Sequence, residues 1–141
     1  MVRAAVGFDP AAMARLRRKR GLSFDALAAL TGKSRRHLIG WEKAEMGPSP
    51  ASLVTLADAL GVKPWALTAR SPGAADLTLA ELRAWAGLRQ EEVAAALGVS
   101  RPTYGKIEAG QRPLGPDDYA LLRQLAAALG RPLGEVSRTV S

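Results

Sequence analysis

The sequence has no cysteine and one histidine, His37, among its 141 residues. Without cysteine, neither a disulfide bond nor a thiolate metal site can form, and a reducing cytoplasm is the compartment that this composition suits. One histidine supplies almost nothing for a transition-metal site or an imidazole general base. We therefore expect no catalytic residue, no metal ligand and no cofactor, and we place an enzyme last among the functional classes.

Long apolar runs are also missing. The amino-terminal 20 residues lack the apolar core of about 7 to 15 residues that a signal peptide needs. Elsewhere, charged residues, polar residues or glycine interrupt each apolar run well before the ~20 residues that span a bilayer. We expect a cytoplasmic protein with neither an export signal nor a membrane partner.

Acidic residues are outnumbered by basic ones, 13 to 20, which gives a formal net charge of +7. The excess lies in one half of the chain: residues 1–71 carry 12 basic and 5 acidic side chains, whereas residues 72–141 carry 8 of each. Such a balance favours polyanions, with nucleic acid ahead of acidic membrane surfaces. The first half would then supply most of the long-range attraction.

The chain contains an internal repeat. Residues 16–42 align without a gap on residues 82–108, at an offset of 66, and residues 56–67 resemble residues 125–136 at an offset of 69. The second copy therefore has three extra residues in the preceding loop. The identical pairs include Leu16 and Leu82, Gly21 and Gly87, Leu22 and Leu88, Ala28 and Ala94, Gly32 and Gly98, Ser34 and Ser100, Arg35 and Arg101, and Glu42 and Glu108.

Between the two copies lies the segment RSPGAAD at 70–76. Its proline, glycine and alanine content is typical of an exposed connection without a core of its own. We predict a first domain over residues 1–70, a linker over 71–76 and a second domain over 77–141.

Both copies have the periodicity, caps and glycine stops of helices, and no segment alternates long enough for a strand. In each copy a glycine turn separates a short second helix from a third helix, which is the helix-turn-helix arrangement. The predicted fold class is all-α, with five helices per copy. In the first copy, the first, second, fourth and fifth helices are predicted over 10–20, 24–30, 52–60 and 64–67, and the third starts at Ser34. In the second copy, the second, fourth and fifth helices are predicted over 90–97, 117–129 and 132–136, while the first starts at Thr78 and the third at Ser100.

The segments GLSFDALAALTGKSRRHLIGWEKAE (21–45) and GLRQEEVAAALGVSRPTYGKIEAG (87–110), each preceded by a Leu-Arg pair in helix one, carry a family resemblance. They resemble the five-helix DNA-binding domains of the lambda repressor, Cro and Xre type, and the second copy is the closer match. This resemblance implies two tandem lambda-repressor-like domains, each placing its third helix in the major groove of double-stranded DNA.

Residues three apart on the third helix, Leu38 with Trp41 and Tyr104 with Ile107, are suited to face the core. The side chains between them should then point outward, and the resemblance places these in the major groove. Arginine suits guanine because its guanidinium can donate to both O6 and N7, so Arg35, Arg36 and Arg101 are the predicted base readers. The full predicted DNA-binding set is Lys33, Ser34, Arg35, Arg36, His37, Gly40, Gln90, Ser100, Arg101, Pro102, Thr103 and Lys106.

Within this set, Lys33, Lys106 and Thr103 are expected to hold phosphates. Gln90 matches the family glutamine that opens helix two beside the DNA backbone, whereas the first copy has Phe24 there, which departs from the family pattern. Glu42 and Glu108 look out of place in an anion-binding domain. We interpret them as structural partners of the helix-one arginines Arg17 and Arg83.

Because the two recognition helices differ in sequence, a monomer should prefer two unlike half-sites to a palindrome. The favoured function is a sequence-specific transcriptional repressor, with a homodimer of four recognition helices as an open alternative. Two rival functions use the same fold. One is an antitoxin that binds a toxin protein and regulates its own promoter, and the other is a protein-binding adaptor in which one copy no longer binds DNA.

Overall fold

The computed structural model describes residues 4–141. These residues form two compact units, the first ending at Gly73 and the second beginning at Ala74. Each unit contains one copy of the repeat.

The first unit is built from short helices that begin at side-chain caps. Asp9, Ser23, Ser34 and Ser49 each accept a hydrogen bond from a backbone N–H of the following first turn, which satisfies donors that a helix start leaves unpaired. Its elements are α1 (Pro10–Lys19), α2 (Phe24–Thr31), α3 (Arg35–Glu42), α4 (Pro50–Leu60) and a 3₁₀ turn (Pro64–Leu67).

The second unit repeats this order with a longer connection before its fourth helix. Thr78 and Glu81 form the reciprocal capping box that their spacing predicts. The elements are α5 (Leu79–Ala86), α6 (Gln90–Leu97), α7 (Arg101–Glu108), a 3₁₀ turn (Pro116–Asp118), α8 (Tyr119–Leu129) and α9 (Leu133–Val140).

The all-α prediction is confirmed, and within residues 4–141 the β structure is limited to one isolated bridge between Phe8 and Thr68. The helix boundaries differ from prediction in several places, among them the start of α8, which begins at Tyr119 instead of residue 117 because a 3₁₀ turn occupies Pro116–Asp118. Helix α4 begins at Pro50 instead of Ser52, because Ser49 caps it by accepting from the Ser52 backbone N–H. Helix α9 continues to Val140, whose side chain is buried.

The core faces of α3 and α7 are those expected from the sequence. Leu38 and Tyr104 are 0% exposed, and Trp41 and Ile107 are 4% and 1% exposed. These buried residues fix the rotation of each helix about its axis, and with it the side chains that face outward.

Candidate nucleic-acid interface

In both units the turn and the helix that follows it are held by a serine cap. The Oγ of Ser34 accepts from the His37 backbone N–H over 3.1 Å, and the Oγ of Ser100 accepts from the Thr103 backbone N–H over 3.2 Å. The same two hydroxyl groups also hydrogen-bond the side chains of the third helical residues, with 2.6 Å to Nδ1 of His37 and 2.8 Å to Oγ1 of Thr103. Both helices thus start with an ordered first turn.

Most of the predicted contact residues lie where a ligand can reach them. Helix α2 packs against α3, and α6 against α7, in the helix-turn-helix order. The exposed members of the set are Ser34, Arg35, Arg36, His37, Ser100, Arg101, Pro102 and Lys106, and the partly buried ones are Lys33, Gln90 and Thr103.

The expectation that Gly40 faces outward is wrong. Gly40 is buried because the side chain of Met46, from the loop after α3, lies over it; a Cβ at this glycine would be 3.2 Å from Cγ of Met46. Lys106 occupies the equivalent position in the second unit and is exposed. A cavity of about 480 Å³ surrounds this point and is lined by Arg35, Arg36, Ile39, Gly40, Glu45 and Met46.

Met46 is one of the residues at this surface that the sequence patterns did not single out. It is 45% exposed and covers the glycine with the rest of its side chain. Its signal in the sequence is the small residue at position 40, which leaves space on α3 for a side chain from elsewhere.

The predicted pairing of Glu42 with Arg17 is confirmed. Nε of Arg17 donates to Oε2 of Glu42 over 2.5 Å and Nη2 donates to Oε1 over 3.0 Å, while Nη1 donates to the Leu22 carbonyl over 2.9 Å. The two side chains are only 13% and 8% exposed. This bidentate contact ties α1 to the carboxyl end of α3.

The second unit repeats the arrangement with Arg83 and Glu108. Nε and Nη2 of Arg83 donate to the carboxylate over 2.8 and 2.9 Å, and Nη1 donates to the Leu88 carbonyl over 3.0 Å. The side chains are 16% and 9% exposed. Both glutamates therefore act as structural partners inside their units.

The first residue of helix two contacts this pair differently in the two units. Nε2 of Gln90 donates to Oε1 of Glu108 over 3.1 Å. In the first unit, the guanidinium carbon of Arg17 lies 4.1 Å from the ring centroid of Phe24, within range of a cation–π contact. Phe24 thus replaces a polar contact with an aromatic one, and it has no side-chain donor for a phosphate.

Glu108 makes the stability of the second unit depend on pH. Burial raises the pKa of its carboxyl group, but the hydrogen bonds from Arg83 and Gln90, the nearby Tyr104 hydroxyl and the charge of Arg83 together outweigh burial and leave the pKa below its usual value. Because the folded pKa is the lower one, the stabilisation is complete above the unfolded value of ~4.3. It is lost as the pH falls through the folded value.

We expect urea unfolding midpoints of the wild-type chain to fall steadily from about pH 5 to about pH 2. A Glu108→Gln variant should show a weaker dependence over the same interval, since it has no carboxyl group to titrate at this position. The comparison isolates Glu108 from the other acidic residues. Parallel curves for the two proteins would contradict this assignment.

Metal ions and membranes are the two further partners that the described part of the chain bears on. Over residues 4–141, no three His, Asp or Glu side chains are grouped as metal ligands would be. No helix in the same range is long and apolar enough to cross a membrane.

Comparison with protein families gives one match in each half of the chain. A family model described as "Helix-turn-helix" matches residues 13–64, and one described as "Helix-turn-helix domain" matches residues 77–138. Neither the curated proteins nor the solved structures gave a match. Each family match includes the serine-capped helix described above. The chain therefore belongs to the helix-turn-helix proteins, with two such domains in tandem, and is a DNA-binding regulator.

Proposed function

We propose that this protein is a transcriptional repressor that binds double-stranded DNA with α3 and α7 and reads two unlike half-sites. The observation that carries the proposal is the presence, in one chain, of two serine-capped recognition helices whose outer residues differ. Arg35, Arg36 and His37 are exposed on α3, whereas Arg101 and Pro102 are exposed at the equivalent place on α7. Different side chains at equivalent positions read different bases.

Within this proposal, Arg35, Arg36 and Arg101 donate to guanine in the major groove. Lys33, Lys106 and Thr103 bind phosphates and so orient each domain without reading sequence. Ser34 and Ser100 act by ordering the first turn of each helix. We leave Gly40 out of the contact set because it is buried beneath Met46.

Linking two domains in one chain raises the affinity of the chain for DNA. Once one domain is bound, the linker holds the other domain of the same chain near the second half-site. Linkage of this kind raises affinity by roughly 10²- to 10⁴-fold when both domains can bind at once. A site occupied in this way is closed to other proteins, which is the simplest route to repression.

The experiment is selection from a library of random duplex DNA with the intact chain, at two salt concentrations. We expect two unlike motifs at a fixed spacing, and an affinity that falls steeply as the salt concentration rises, because bound phosphates release counterions. A single palindromic motif would instead indicate a homodimer with equivalent domains on the two half-sites. Selection of no motif at either salt concentration would overturn the proposal.

A second candidate function is supported by the charge distribution. The second half of the chain has no net charge, whereas the first half carries the whole excess of +7. A neutral domain gains little from long-range attraction to DNA, so its recognition surface could instead bind a protein, as in an adaptor or an antitoxin bound to its toxin. Selection of one motif that depends on α3 alone would favour this function.

A further inference from the structure

Each recognition helix begins with an arginine that lies beside a carboxylate of the preceding helix. Nε of Arg35 is 3.4 Å from Oδ1 of Asp25, and Nε of Arg101 is 3.3 Å from Oε1 of Glu91. Asp25 and Glu91 are equivalent: each is the second residue of its helix, α2 or α6, and they are 66 positions apart. The same contact therefore occurs independently in both domains.

The stability of the ion pairs themselves does not account for this repetition. The side chains of Arg35 and Asp25 are 63% and 84% exposed, and those of Arg101 and Glu91 are 53% and 55% exposed. Ion pairs as exposed as these contribute little to folding. A carboxylate beside a DNA-binding helix also repels phosphate, so these residues cannot serve overall affinity either.

A guanidinium group has two edges that can donate, and the carboxylate engages the edge that contains Nε. When Nε is held in this way, the edge formed by the two terminal nitrogens is directed away from the carboxylate. That second edge can donate to O6 and N7 of guanine, which lie side by side in the major groove. The contact restricts the arginine before DNA arrives, and such preorganisation reduces the entropy that binding costs.

We propose that Asp25 and Glu91 are positioning residues that set specificity by directing Arg35 and Arg101 toward a base instead of a phosphate. This inference rests on the proposed function, since it assigns a role within DNA reading. The carboxylates weaken non-specific binding and strengthen discrimination at one base pair in each half-site.

The charge state of Glu91 supports this role. Its own backbone N–H, together with the nearby guanidinium groups of Arg89 and Arg101, lowers its pKa below the usual value. The carboxylate is therefore ionised at neutral pH. Nε of Arg101 also donates a hydrogen bond to Glu91, so we expect the stronger positioning effect in the second domain.

The test uses the full chain and three variants that each remove one negative charge: Asp25→Asn, Glu91→Gln and the control Asp58→Asn. Asp58 is an exposed residue of α4. All three variants should bind random DNA more tightly than the wild type, because their net charge rises equally. Only Asp25→Asn and Glu91→Gln should also lose preference, by roughly two- to fivefold, at a single base pair.

That base pair should be the one whose preference disappears when Arg35 or Arg101, respectively, is replaced by alanine. The charge-retaining variants Asp25→Glu and Glu91→Asp should keep most of the preference. In the free protein, NMR relaxation of the Nε–H group of Arg101 should show greater mobility in Glu91→Gln than in Asp58→Asn. If these carboxylates only stabilised the fold, replacing them would change neither the preference at one base pair nor the mobility of the Arg101 Nε–H group selectively.

The outcomes separate this inference from the proposed function. If the wild type selects no motif, the proposed function fails and this inference fails with it. If the wild type selects motifs but Glu91→Gln and Asp25→Asn match Asp58→Asn at every base pair, only this inference is overturned. A gain of preference in either variant would also overturn it, since the carboxylate would then compete with the base.

Discussion

Replacing Glu108 by alanine is expected to destabilise the second domain by about 2 to 3 kcal/mol. The change removes the acceptor of two hydrogen bonds from Arg83 and one from Gln90. It leaves a guanidinium group whose side chain is only 16% exposed, and a charge so poorly hydrated is costly without its partner. We take a value below the usual 3 to 5 kcal/mol for a fully buried pair, because water still reaches part of this one.

Hydrogen exchange at the amides of α5 to α8 measures this loss in the second domain separately from the first. The control is Asp117→Ala, an exposed residue, for which a change within about 0.5 kcal/mol is expected. The equivalent variant Glu42→Ala should cost the first domain less, because Arg17 keeps its contact with the ring of Phe24. Equal protection in wild type and Glu108→Ala would refute a structural role for this pair.

The second large effect is expected at the recognition arginines. Replacing Arg101 by alanine should remove the preference for one base pair of its half-site, about 1 to 3 kcal/mol or roughly 5- to 150-fold, and should leave the other half-site unchanged. Arg35→Ala should do the same for the half-site read by α3. Competition binding against every single-base variant of the selected site measures both losses.

Two further variants separate base reading from phosphate binding. Arg101→Lys retains the charge but cannot donate in the same planar, bidentate way, so discrimination should fall while the dependence on salt is retained. Lys33→Ala should weaken binding to all sequences equally and reduce the salt slope by about one. If Arg101→Ala also weakens all sequences equally, Arg101 binds phosphate and the assignment is wrong.

Much of the architecture was predictable from local signals. The aligned glycines and serines mark where helices end and begin, and the spacing of Leu38 and Trp41 identified the buried face of α3. The Arg17 and Glu42 pair was predictable as well, because an acidic residue that is repeated in two anion-binding domains needs an internal partner.

The features that were missed depend on how segments cross in space. Periodicity places Gly40 on an outer face of α3, but it cannot show that a loop returns Met46 over that face. Likewise, Asp25 and Arg35 are ten positions apart on different helices, and their contact follows only from the angle between α2 and α3. Sequence patterns specify what a helix presents, whereas its neighbours depend on tertiary packing.

Each recognition helix is capped at its first turn and attached to helix one at its last residue. Serine hydroxyls accept hydrogen bonds from the backbone of the first turn. At the other end, an arginine of α1 or α5 donates hydrogen bonds to the glutamate that ends α3 or α7, respectively. A helix turns by about 100° per residue, so even a partial roll would bring different side chains to the DNA. The buried side chains of each helix and its arginine–glutamate contact together set its rotational register. Substitutions on α1 or α5, distant in sequence from the recognition helices, would then alter which bases are read.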